Sequence, residues 1–362
     1  MKYLVFVNTP AHAHTYRHLA RTVVDSEDEM LVLARDYSCT LDILDYHDVP
    51  YEVYGSHKTS DYSTFGFARE LPQQFFRIAR HVRRYDPDVI FGRGPYAAFA
   101  SLFCDARVIL LLDAEPSELL HRASSPFADL ILTPEATDID LGKNHYVFKG
   151  FKECGYLLPD VFTPDPTVRE DLGLEPDERF MLVRFASLDA LHDRDAVGRT
   201  IEQRRQVIEA APDDVTVLVS DESGELDLEA LGARKYDLHP ARIHDVMAEA
   251  DLLVAETGTM VIEAAFLGTP AIACSDWANQ GPGEFVALED AGLIRITSDL
   301  ERVAEHVSEI LGDPDAQARY QQRRDEFLAD KVDLTELLMD VARDPAFVSE
   351  RSKLRPRRST PV

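Results

Sequence analysis

The chain has 362 residues, more than one ordinary core organises, so two domains are expected. Its 65 Asp and Glu against 38 Lys and Arg give a net charge of −27, which argues against duplex nucleic acid as a partner, since phosphate binding needs a basic surface. A hydrophobic content of 45% argues against a disordered acidic chain.

The bases are skewed, 8 Lys to 30 Arg. Many acids with few lysines suit a salt-filled cytoplasm, where screening relieves self-repulsion, so a halophilic protein is expected; a surface shaped only for solubility is the alternative. Apolar stretches such as Val108–Leu112 and Ala264–Leu267 fall far short of the ~20 residues a membrane helix needs. Met1-Lys2 leads directly into a strand-like run, not into a signal peptide, and a cytoplasmic location is expected. Cys39, Cys104, Cys154 and Cys274 lack CxxC or Cys/His spacing, so neither a disulfide framework nor a zinc site is expected.

Strands and helices alternate from the start. Tyr3–Val7 reads as a strand, Thr15–Val24 as a helix, Met30–Ala34 as a strand, Cys39–Tyr46 as a helix and Tyr51–Tyr54 as a strand. Tyr62–Tyr85 follows as a long helix, Asp88–Phe91 as a strand, Tyr96–Cys104 as a helix, then Arg107–Leu112 and Leu130–Leu132 as strands. Pro159–Pro166 reads as a linker. Beyond it come strand Phe180–Val183, helix Arg199–Ala210, strand Val215–Val219, helix Ala241–Ala250, strand Leu252–Ala255, helix Met260–Leu267 and strand Ala271–Ala273. Leu293–Ile296 is the last strand, and helices over Leu300–Leu311 and Ala316–Ala329 close the domain. Apolar runs separated by helices imply parallel sheets with right-handed crossovers. The expected division is 1–160, 161–345 and a basic, disordered tail over 346–362, for which an anionic membrane contact is the alternative.

Ligands of open parallel sheets sit beyond the carboxyl ends of the strands, which directs attention to the loops there. The most informative one is Glu256-Thr257-Gly258-Thr259, between a strand and a helix. Gly258 permits close backbone approach, and the free N–H groups of the helix start suit a diphosphate. Glu263, six residues after Thr257, suits the hydroxyls of a ribose, and Gly268-Thr269-Pro270 ends the helix. An ordinary capped helix in a βαβ unit is the alternative.

This segment resembles the nucleotide-sugar site of GT-B enzymes, the superfamily of MurG-type glycosyltransferases and non-hydrolysing UDP-N-acetylglucosamine 2-epimerases. The rest of the chain is similar to the DUF354 family of GT-B-like proteins. The matching pieces are Asn8–His14, Ala34–Ser38, Lys149–Leu157, Asp160–Pro164, Arg184–Asp193 and the Thr-Gly-Thr segment. The resemblance implies two Rossmann-like α/β domains whose parallel sheets face a cleft. It implies that Thr257, Gly258 and Thr259 hold a diphosphate and Glu263 a ribose, with Arg184 and Ser187 at the end of the second domain's first strand. The chain lacks the epimerases' His-Arg-Arg-Glu run and Gly-Thr-Arg-Pro-Glu motif, and also MurG's glycine-rich acceptor loop, which counts against both specific reactions.

Other residues fall at strand ends. His12 and His14 follow the first strand and suit phosphate binding or general-base work, or merely begin a helix. His18 lies four residues beyond His14, but no acidic third ligand lies near, and no metal is expected. Arg93, between Gly92 and Gly94, can aim a guanidinium at an anion or simply form a turn. Asp113 and Glu115 follow the fifth strand. The 2-epimerases carry a functional Glu in a comparable loop, which favours Glu115. Lys149 and Glu153 flank Gly150 in the segment before the linker, where a hinge role competes with a substrate role, and His192 follows Ser187. DxD pairs at Asp86/Asp88, Asp138/Asp140 and Asp193/Asp195 are discounted, because acids abound and a GT-B site neutralises the leaving group without metal.

The expected protein is a GT-B glycosyltransferase using a nucleotide-diphosphate sugar, UDP-linked by resemblance, for an envelope or lipid-linked glycan acceptor, possessing no cofactor. His14, His12 or Glu115 is the expected base. A UDP-sugar 2-epimerase and a non-catalytic nucleotide-sugar-binding protein are the alternatives. A peripheral contact at the inner membrane face follows from a lipid-linked acceptor.

Overall fold

The computed structural model describes residues 1–24, 26–56, 64–113, 118–185, 200–276, 278–344 and 354–357. The chain divides into two units, Met1–Tyr156 with Lys331–Val362, and Leu157–Asp330.

In the first unit the elements are β1 (Lys2–Val7), α1 (Pro10–Val24), β2 (Glu29–Asp36), α2 (Thr40–Tyr46), β3 (Tyr51–Ser56), α3 (Thr64–Tyr85), β4 (Val89–Gly92), α4 (Pro95–Ala100), β5 (Arg107–Leu111), α5 (Glu118–Ser124), β6 (Leu130–Pro134) and β7 (His145–Phe148). The second unit holds α6 (Val168–Asp171), β8 (Phe180–Phe185), α7 (Ile201–Glu209), β9 (Thr216–Asp221), β10 (Arg234–Lys235), α8 (Ile243–Glu249), β11 (Leu252–Ala255), α9 (Gly258–Leu267), β12 (Ala271–Ala273), α10 (Gly283–Asp290), β13 (Ile294–Ile296), α11 (Leu300–Leu311) and α12 (Ala316–Leu328). The chain then returns to the first unit with α13 (Leu334–Arg343) and β14 (Leu354–Pro356).

The first sheet has the order β14-β7-β6-β5-β4-β1-β2-β3 and the second β10-β9-β8-β11-β12-β13. Every pairing is parallel except β14 on β7. The central strands are uniformly apolar because helices cover both faces: Tyr3 to Val7 of β1 and Leu252 to Ala255 of β11 are all buried. In each sheet the strand order reverses at one place, between β1 and β4 in the first and between β8 and β11 in the second. A reversal leaves a crevice beyond the carboxyl ends of those two strands, because their crossover helices lie on opposite faces.

Four expectations need correction. His12 and His14 do not sit on a loop, since α1 starts at Pro10. Proline fits the first helical position, and the N–H of His12 donates to Thr9 Oγ1 at 3.4 Å, satisfying one donor of the first turn. Residues 331–344, expected in the second domain, belong to the first. Leu334, Leu337, Leu338 and Val341 of α13 are buried there, and Arg107 Nη1 donates to the Val341 carbonyl at 2.5 Å. The tail is not wholly disordered, because Leu354–Pro356 pairs antiparallel with β7 and Leu354 is buried. Arg355 also meets Glu135 at 2.5 Å, and Arg357 pairs with Asp138. Finally the sequence reading lacks β7, α5, α6, β10, α10 and α13, all elements of ten residues or fewer.

Candidate functional site

At the β1/β4 crossover of the first unit, four charged side chains meet. Arg93 follows β4, Asp113 follows β5, and Lys152 and Glu153 follow β7. Gly92 and Gly94 make the turn that presents Arg93: a Cβ on Gly92 would stand 2.4 Å from Ala97 Cβ, and Gly94 has φ +94°. Arg93 pairs with Asp113, Lys152 Nζ lies 3.2 Å from Asp113 Oδ2, and the same Nζ lies 2.8 Å from Glu153 Oε1. The side chains of Arg93, Asp113 and Lys152 are 8%, 13% and 7% exposed, and that of Glu153 is fully enclosed. Burial opposes ionisation of Asp113, but Arg93 and Lys152 outweigh it and hold the carboxyl well below its usual range. Burial likewise opposes the charge on Arg93, and Asp113 more than restores it.

His12 stands over this cluster. The Asn8 N–H donates to its Nδ1 at 3.2 Å, which puts the proton of the neutral ring on Nε2. Burial, then the cation of Arg93, holds the imidazole well below the usual histidine range, so the ring is neutral at pH 7. In that state His12 donates from Nε2 and has no free lone pair with which to act as a base. His14, one of the expected bases, is 4% exposed, with its ring stacked on Tyr156 at 5.8 Å and edge-on to His47 at 6.4 Å. That is a packing position. His18, one turn further along α1, is half-buried. Glu115 lies outside the described residues.

At the β8/β11 crossover of the second unit, Ala255 sits beside Arg184, and the Glu256 N–H donates to the Arg184 carbonyl at 3.1 Å. This brings the end of β8 next to the start of α9. Arg184 Nη1 donates to Ser220 Oγ at 3.0 Å, and the guanidinium also pairs with Glu222. Ser187, His192, Asp193 and Asp195 lie outside the described residues. Thr257 heads α9 in extended conformation, yet its side chain makes no capping bond and its Oγ1 has no hydrogen-bond partner. The helix ends at Gly268, in left-handed conformation at φ +77°, where a Cβ would stand 3.1 Å from Gln321 Cα.

Glu263 is brought onto the same helix but is not open to solvent. It is 3% exposed, and its Oε1 lies 3.1 Å from Nε2 of His244 on α8. Arg204 on α7, buried over the ring of Phe185, donates to Asp221 Oδ1 at 2.9 Å and reaches within 3.7 Å of Glu256 Oε2. Sequence reasoning missed His244, Arg204 and Lys152. Nothing local marks them, because each gains its meaning from a partner on another element.

The aspartates of the described DxD pairs have other work. Asp88 Oδ2 accepts the Lys2 N–H at 2.8 Å, Asp140 Oδ1 accepts the Gly142 N–H at 2.9 Å, and Asp138 pairs with Arg357. Among the described residues no group of three or more His, Cys, Asp or Glu side chains is placed to hold a metal ion.

Comparison with known proteins agrees with the fold. An uncharacterized protein of Methanocaldococcus jannaschii is 22% identical over 322 residues, covering 84% of this chain and 90% of its own. The Staphylococcus aureus MnaA–UDP complex superposes with TM-score 0.68 at 12% identity, over 99% of this chain and 100% of that one. The UDP-GlcNAc 2-epimerase of Neisseria meningitidis bound to UDP-GlcNAc gives 0.65 at 12% identity, over 94% and 99%. The glycosyltransferase VinC in complex with dTDP gives 0.62 at 13% identity, over 95% and 99%. The fold is thus that of GT-B glycosyltransferases and UDP-GlcNAc 2-epimerases, two α/β units built on parallel sheets. The family model described as "Protein of unknown function (DUF354)" matches residues 3–343, and the chain belongs to that family.

Proposed function

We propose that the protein is a glycosyltransferase that takes a nucleotide-diphosphate sugar, UDP-linked, in its second unit and passes the sugar to a hydroxyl of an envelope or lipid-linked glycan. The reading is carried by the start of α9. A ten-residue helix begins at a sheet crossover with Thr257 uncapping and unpartnered and with Gly258 leaving the backbone bare. Its unpaired N–H groups and dipole suit a diphosphate both when bound and when departing. Thr257, Gly258 and Thr259 hold the diphosphate, and Arg184 adds positive charge from the end of β8, with Ser187 beyond it. Glu263 takes the ribose.

The acceptor base is assigned to Glu115. Among the carboxylates of that crossover, Asp113 is a weak base because Arg93 and Lys152 hold it ionised, and Glu153 is tied to Lys152. His12 is a donor in this arrangement and His14 a packing residue. His12 Nε2–H and Arg93 serve to orient the acceptor.

Isothermal titration with UDP tests the donor site. Binding at micromolar to sub-millimolar affinity is expected, with a loss of about tenfold or more in Glu263→Ala. No binding by the wild type at millimolar UDP rejects the reading. Glu115→Gln should keep UDP affinity and lower kcat by about 10² to 10⁴. Incubation of a UDP-sugar in deuterated buffer without acceptor separates the chemistries: deuterium at the sugar carbon would indicate epimerisation instead of transfer.

A further inference from the structure

The layer of α3, α4 and α5 in the first unit differs from the rest of the chain in charge and in apolar exposure. These helices pack side by side. The Phe75 ring of α3 lies 5.5 Å from Tyr96 and 6.1 Å from Phe99 of α4, and Phe99 lies 5.0 Å from Phe127, in the turn after α5. Arg83 of α3 stands over Phe103, in the turn after α4, at 5.4 Å. Gln74, Ile78 and Val82 of α3 are buried, which turns Phe76, Arg77, Arg80, Arg83 and Arg84 outward.

Of the five large apolar side chains that are more than half exposed among the described residues, four belong to this layer: Phe76 at 71%, Leu102 at 62%, Leu119 at 82% and Leu120 at 54%. Monomeric surfaces seldom gather such side chains without a partner. The charge is as uneven. Residues 71–85, 95–103 and 119–127 contain no Asp or Glu, in a chain with 65 of them among 362 residues. The acids of α3 and α5, Glu70 and Glu118, have side chains outside the described residues. Arg84 donates to Glu52 of β3 at 2.6 Å. By contrast, α11 of the second unit turns Glu301, Glu305 and Glu309 to solvent.

We propose that this layer is a membrane-docking face, on which Phe76, Leu102, Leu119 and Leu120 enter the headgroup–acyl boundary and the arginines of α3 hold anionic headgroups. A bilayer surface complements the apolar tips and the cations at once. A nucleic acid would leave the leucines in water, and a symmetric pairing of two copies through this face would set arginines against arginines. The −27 charge does not forbid the contact, because acids farther from the bilayer than a Debye length, about 8 Å at 0.15 M salt, are screened from it. The inference does not depend on the donor-site reading. It gives a membrane contact a face within the described fold, in place of the carboxyl-terminal stretch.

Co-sedimentation of the full chain with vesicles tests it, with phosphatidylcholine alone and with an equal mixture of phosphatidylcholine and phosphatidylglycerol, at about 0.15 M KCl. The wild type should partition onto the mixed vesicles at least about tenfold better than onto the neutral ones. An arginine near an anionic surface contributes about fivefold, so Arg77→Gln with Arg80→Gln should lower partitioning about 20- to 30-fold. Phe76→Ser with Leu119→Ser should lower it about tenfold or more. Arg205→Gln with Arg302→Gln, which removes the same charge from the second unit, should leave it within about twofold. All six positions are exposed, so the variants should fold, which circular dichroism checks. Equal losses in the two arginine pairs overturn the inference, as does a wild type that stays in the supernatant with the mixed vesicles. It is also overturned if the wild type is a dimer in the ultracentrifuge without lipid and Phe76→Ser with Leu119→Ser is a monomer, because the face then serves a second copy. The α3 and α5 variants should keep the UDP affinity of the wild type, so a failure here leaves the donor-site reading standing, and a wild type that binds no UDP leaves the docking face standing.

Discussion

Asp113 illustrates how burial and pairing combine. Its carboxylate sits between two buried cations, and its removal would take from Arg93 and Lys152 the anion they share. Asp113→Asn should therefore cost about 3 kcal/mol in a denaturant titration, the scale for breaking a buried pair from one side. The sign with pH follows from its lowered pKa. Its contribution is complete above the ordinary carboxyl value of 3.8 and is lost as pH falls below it. His145 acts in a different window. It is buried on β7, where its Nδ1 accepts the Leu141 N–H at 3.2 Å and its Nε2 lies 2.9 Å from Thr133 Oγ1. Burial, with the nearby Arg357 cation, pushes its pKa from 6.5 to about 4. The unfolded chain thus takes up a proton between those values that the folded chain refuses, and stability falls as pH drops from 6.5 to 4. The loss from this group is at most about 3 kcal/mol, less what solvent screening removes. Urea titrations across that range should show the fall, with a shallower one in His145→Gln.

Helix ends separate folding from binding in this chain. Thr200 caps α7 through a reciprocal pair with Gln203, and Asp299 and Asp333 cap α11 and α13 through their side chains. Such caps contribute about 1 kcal/mol each. Thr257 of α9 makes no such bond. Thr257→Val should accordingly change the unfolding free energy by less than about 0.5 kcal/mol and still weaken UDP binding about five- to tenfold. A loss of stability equal to that of Thr200→Val would mean that its hydroxyl serves the helix and not a ligand. The positions of α13 and β14 carry a second lesson. They extend the first unit from the far end of the chain, because α13 buries a leucine stripe there and β14 covers an otherwise open strand edge.

Across the molecule, the −27 charge sets the response to salt. The Debye length shrinks from ~10 Å at 0.1 M to ~3 Å at 1 M, so repulsion among the surface carboxylates fades over that range. The melting temperature should rise as KCl goes from 0.1 to 2 M, with most of the gain below 1 M. A flat or falling curve would show that the acids are locally compensated. No helix among the described residues is long and apolar enough to cross a membrane.

Much of the fold was legible beforehand, because buried parallel strands are near-continuous apolar runs; β1, β5, β8 and β11 are examples. The turn at Thr257-Gly258 was legible for the same reason, since glycine and threonine at a strand-to-helix junction are a local signal. What belonged to tertiary structure alone was every meaning that depends on a partner distant along the chain. The amino acids did not reveal that His244 lies against Glu263, that Asn8 fixes the proton of His12, or that Arg93, Asp113, Lys152 and Glu153 form one cluster of ion pairs. Periodicity reports how one segment divides between core and solvent. Ion pairs and tautomers are set by side chains that meet only after the crossovers have closed.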